Sequence, residues 1–104
     1  MNKKISIKTD NPAIYGLLNF DLPYGVQIVS VSPYKGGGFN LSRTTDIQIV
    51  ADFTKIEKNN FVAWLISRTR LFEGDHMIKI NRQQIPVNNS EAVELLIKEI
   101  EGEE

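Results

Sequence analysis

The sequence predicts an α+β domain, on three observations. Short stretches alternate strictly between polar and apolar residues, a β-α-β succession occurs twice, and the closing segment repeats apolar residues at i, i+3, i+4 and i+7. Lys4 to Lys8 sets Ile5 and Ile7 against Lys4, Ser6 and Lys8, the period of a strand with one buried face. Asn11 then offers a helix cap, Pro12 suits the first helical position, and Ile14, Leu17 and Leu18 share a helical face. Leu22-Pro23-Tyr24-Gly25 makes a turn into Val26 to Val31, whose β-branched residues on both parities predict an interior strand covered on both faces.

Ser32 to Thr45, with three consecutive glycines, separates this unit from a strand over Asp46 to Phe53 that places Ile47, Ile49 and Ala51 on one side. Glu57 to Phe72 contains the longest apolar run, Phe61 to Ile66, and predicts a buried central helix. Phe61, Trp64 and Phe72 read as core aromatics on or beside one face of it, and Arg68 and Arg70 complement the helix dipole near its end. Gly74-Asp75 turns the chain into a strand over His76 to Asn81. Arg82-Gln83-Gln84 returns it through Ile85-Pro86-Val87 as a short edge strand. Any of Asn88, Asn89 and Ser90 can cap the last helix, with Val93, Leu96, Ile97 and Ile100 inward.

This order matches a ferredoxin-like βαββαβ sandwich extended by a short edge strand and a C-terminal amphipathic helix. Its length of 104 residues suits a single domain over 1–104, with residues 101–104 an acidic, fraying tail. Residues 91–104 carry six Glu and one Lys, net −5, whereas residues 1–90 carry 11 basic and 7 acidic side chains, net +4. The first eight residues alternate where a secretory signal needs a continuous apolar run, so a cytoplasmic protein is expected.

The chain contains no cysteine, which removes disulfides, thiolate nucleophiles and sulfur-ligated metal sites. Its single histidine, His76, follows Glu73 and Asp75 and could act as an oriented base, yet its strand parity with Ile78 and Ile80 favours a packed side chain. No Gly-x-Ser-x-Gly nucleophile accompanies it. Asp46 and Asp52 share a strand face but stand roughly 20 Å apart along it, too far for a carboxylate pair.

The loop around Lys35, Gly36, Gly37, Gly38 and Arg43 is the candidate anion or nucleic-acid contact, because glycine backbones can turn N–H groups toward a phosphate while the two cations add charge. Tyr34 and Phe39 interleave aromatics, and Lys8 is a further candidate cation. The loop departs from both the phosphate-loop and the dinucleotide patterns, and a sequence pI near 5.8 gives polyanion binding little support. Trp64-Leu65, Ile78-Lys79-Ile80-Asn81 and a helix bearing Glu94 and Leu96 loosely resemble small bacterial accessory modules that accompany larger effectors. The likeness spans less than half the chain and implies no activity. The expectation is a non-catalytic module, without metal or cofactor, that binds a protein partner or a second copy of itself. The alternative is a phosphate-ligand or nucleic-acid binder using residues 34–43.

Overall fold

The computed structural model describes residues 2–11, 13–33, 45–72 and 74–102. Along the chain these form β1 (Asn2–Thr9), α1 (Ala13–Phe20), β2 (Val26–Pro33), β3 (Thr45–Asp52), α2 (Lys58–Thr69), β4 (His76–Ile80), β5 (Gln83–Pro86) and α3 (Ala92–Glu101). The strands build one antiparallel sheet in the order β2-β3-β1-β4-β5, so the architecture is α+β with five strands and three helices. Among the described residues, no helix is long and apolar enough to cross a membrane.

Alternation decides which side of the sheet is covered. Ile5 and Ile7 of β1 lie level with Ile49 and Ile47 of β3 and with Ile80 and Ile78 of β4, and all six are buried. The intervening residues Lys4, Ser6 and Lys8 project to the opposite face, where Gln48, Lys79 and Gln84 join them. That face is polar. The helices supply the rest of the core from the apolar side, with α2 packed against both α1 and α3.

Each helix buries a distinct stripe. Asn11 caps α1 as its sequence position predicts: its Oδ1 accepts the Ala13 N–H at 3.1 Å, and Ile14 and Leu18 are buried below. In α2, Phe61 meets Phe53 edge-on with ring centroids 5.4 Å apart and lies 6.0 Å from Trp64. The Trp64 indole N–H donates to the Asp21 carbonyl at 3.0 Å, so this large ring is buried without a lost hydrogen bond. In α3 the inward residues are Ala92, Leu96 and Ile100, while Val93, expected inward, is 36% exposed. The N-cap position of α3 is Glu91, one residue beyond the three candidates and without a side-chain cap, while Asn89 Oδ1 accepts the Glu91 N–H at 2.8 Å in the turn that leads into the helix.

Two strand expectations also change. β2 is an edge strand rather than an interior one: β1 and β3 take the centre, and β2 pairs with β3 alone among the described strands. The mixed parity that suggested two covered faces comes from a β-bulge at Val29, which inserts one extra residue between the Ile28 and Ser30 pairings. At the other edge the turn is the two residues Asn81-Arg82 rather than Arg82 to Gln84, so β5 begins at Gln83. Asn81 adopts φ 56°, a left-handed conformation that asparagine tolerates. Its Nδ2 donates to the Glu99 side chain at 3.0 Å and so ties the turn to α3.

Candidate functional site

The residues singled out by sequence as an anion or nucleic-acid contact, Lys35, Gly36, Gly37, Gly38 and Arg43, lie outside the described residues, as do Tyr34 and Phe39. Lys8, the further cation, stands on the polar face of β1 opposite Asp46 and Met77. This face presents no aromatic side chain from β1, β3, β4 or β5. Among the described residues, these four strands supply no aromatic platform of the kind on which RNA bases stack on an open sheet.

His76 is 7% exposed, and both of its ring nitrogens are engaged. Nε2 lies 2.9 Å from the Phe72 carbonyl, which can only accept, so this nitrogen carries a proton; Nδ1 lies 2.7 Å from Thr9 Oγ1. The imidazole therefore fastens the end of β1 to the segment that follows α2. The carboxylates also have structural duties. Asp46 accepts from Gln48 Nε2 at 3.3 Å, and Asp52 Oδ1 accepts both the Thr54 hydroxyl at 2.7 Å and the Thr54 N–H at 3.0 Å. Those two bonds, the hydroxyl first, hold the Asp52 carboxyl down at about 2. Among the described residues, no group of three His, Asp or Glu side chains is placed to hold a metal ion.

Among the described residues, what the sheet leaves open is an edge. β2 is entered through Gly25, whose φ of +93° is a conformation that side-chain-bearing residues rarely adopt. A Cβ at Gly25 would come within 2.9 Å of Lys55 Cβ and 3.3 Å of the Asp52 carbonyl, so the chain passes too close for alanine. Gly25 accepts the Asp52 N–H at 2.8 Å, which makes Gly25 and Asp52 a hydrogen-bonded pair. Alternation along an antiparallel ladder then makes Val26–Ala51 and Ile28–Ile49 non-hydrogen-bonded pairs. The N–H and C=O of Ile28 consequently point away from β3. The β1–β3 register continues unbroken, so Ile47 has the same sense as Ile49, and Val31 opposite Ile47 also turns its backbone groups outward.

The side chains along this edge are uncharged, with Gln27 the one large polar side chain of the strand. β2 carries no charged residue over its eight positions; Val29 is 52% and Val31 41% exposed. At its start, Tyr24 is exposed with Lys55 Nζ 5.5 Å from its ring centroid, beside a shallow groove of about 400 Å³ lined by Gly25, Gln27, Val50 and Asp52. The sequence reading places β2 inside the sheet rather than at its edge. The usable signal was the uncharged, β-branched run ending in Pro33, read there as an interior strand.

The β5 edge is built differently. The Val87 N–H donates to the His76 carbonyl at 3.0 Å, so 76–87 is a hydrogen-bonded pair and the same alternation turns the backbones of Gln84 and Pro86 outward. Proline has no N–H, which leaves Gln84 as the single outward donor of this four-residue strand. Arg70 reinforces the end: Nε donates to the Val87 carbonyl at 3.1 Å and a terminal nitrogen to the Asn89 carbonyl at 3.2 Å. Arg68, read with Arg70 as a helix-dipole cation, reaches Asp21 at 2.6 Å.

Comparison of the chain with protein-family models, with curated proteins and with solved structures yields no match.

Proposed function

We propose that this chain is a non-catalytic protein-interaction module whose binding element is the edge strand β2. One observation carries the reading: an eight-residue, uncharged edge strand turns the backbone groups of Ile28 and Val31 outward and exposes Val29 and Val31 beside them. Strand addition uses such features, with main-chain hydrogen bonds supplying affinity and the flanking side chains supplying selectivity. Engagement of both His76 nitrogens by Thr9 and Phe72 adds support to a non-catalytic role. We also read the topology as ferredoxin-like; support comes from the split β-α-β arrangement, in which β1 lies between β3 and β4 while β2 lies outside β3.

The reading is tested by placing a photo-crosslinking amino acid at Val29 or, on the opposite edge, at Gln84, and irradiating cells that naturally express the protein. Protein adducts from position 29 and none from position 84 are expected, with the adduct identified by mass spectrometry. Absence of any protein adduct from position 29 overturns it.

A further inference from the structure

We infer that the partner of β2 is β2 of a second copy, paired antiparallel about a twofold axis at the bulge, so that two five-stranded sheets join into one. This rests on the reading of β2 as the binding element and names its occupant. The argument starts from the spacing of the outward backbone groups. Ile28 and Val31 both point away from β3, and the bulge residue Val29 takes up the extra position between them. In an antiparallel twofold pair, Ile28 of one copy then stands opposite Val31 of the other, and the reverse pair follows by symmetry. Each pair exchanges two N–H···O=C bonds.

The side chains agree with this register. Ile28 and Val31 lie opposite Ile49 and Ile47, on the face of the sheet that the helices cover, so pairing sets two β-branched side chains against two others and continues the apolar layer from one copy into the next. Val29 and Ser30 come together near the axis. Because β2 has no charged residue, its antiparallel self-apposition sets no like charges opposite each other within the strand. The other edge settles the stoichiometry. β5 has one outward N–H, at Gln84, and ends in Pro86, so the joined sheet stops at two copies instead of growing into a fibre.

The absence of cysteine makes the register directly testable, since a single introduced thiol can pair only with its copy in another chain. The full chain is examined by sedimentation equilibrium, and S30C and Q84C are oxidised separately. Ser30 and its symmetry mate fall within the roughly 7 Å between Cα atoms that a disulfide can span. The expected results are a dimer mass, at least tenfold more crosslinked dimer from S30C than from Q84C, and loss of the dimer in V31P. The last variant removes an outward N–H that takes no part in the β2–β3 ladder; should it fail to fold, the S30C crosslink decides.

A chain that stays monomeric up to millimolar concentration overturns the inference, as does a dimer in which S30C does not crosslink. If position 29 meanwhile forms adducts with a different protein in cells, self-pairing is wrong and the interaction reading stands. If it forms none, both fall.

Discussion

The two edges of this sheet present the same backbone chemistry and treat it in opposite ways. At β5 the strand is four residues long, Pro86 removes an outward donor, Ile85 and Val87 are buried, and Arg70 clamps the carbonyls that follow. At β2 the strand is twice that length, lacks any charge, and leaves Val29 and Val31 in solvent. Proteins usually guard long edges with lysines, prolines, β-bulges or covering elements; β2 has the bulge at Val29 and Pro33 at its end but no lysine or other charge. The contrast teaches that one edge is finished as an end of the fold, while the other leaves the backbone groups of Ile28 and Val31 turned outward.

The largest expected effect comes from the guarded edge. Ile85→Ala removes a buried side chain under α3 and should cost about 2–5 kcal/mol in chemical denaturation, whereas Val31→Ala on dilute, monomeric protein should stay within about 0.5 kcal/mol. Equal losses at the two positions would break the comparison. Next comes Arg70→Ala, which frees the carbonyls of Val87 and Asn89 and should cost about 1–2 kcal/mol. Arg70→Lys should recover less than half of this in the same titration, since one ammonium does not reproduce the fork that reaches both acceptors.

The smallest effect concerns the start of β2, where the Asp52 main chain binds Gly25 and its carboxylate binds Thr54. The folded carboxyl titrates at about 2, below its ordinary 3.8, so its contribution is complete above the higher value and is lost as pH falls through the lower one. Between pH 5 and pH 2 the thermal midpoint of the wild type should therefore fall further than that of Asp52→Asn. Parallel profiles would show that the carboxylate does not anchor this end of the edge.

Much of the fold was legible because local pattern and global burial agree in its central elements. The alternation at Ile5 and Ile7, at Ile47, Ile49 and Ala51, and at Ile78 and Ile80 gives the covered face directly, and the Asn11 cap is a local event. The illegible parts depend on distant partners or on a single inserted residue. Val29 shifts the parity of half of β2, and a parity shift has the same sequence signature as a strand apolar on both faces. His76 stands next to Asp75 in sequence but bonds Thr9, 67 residues away. Arg70 carries a charge suited to a helix end, yet its acceptors lie on the turn before α3, beyond the reach of any local rule. Asn81 without a following glycine gave a weak hairpin signal, which displaced the expected turn by one residue.

The central position of β1 also bears on how the chain acquires its structure. β1 takes its two neighbours from residues 45–52 and 76–80, both later in the chain, so neither of its ladders can close until those segments have been synthesised. On the ribosome, residues 2–9 must wait until α1, β2 and β3 have emerged for their first neighbour, and for their second until β4 arrives. Closure across such long separations slows folding. A β2–β3 pair present during that interval would expose the pairing edge before the core exists, making the nascent chain most prone to mispairing with its neighbours on a crowded polysome.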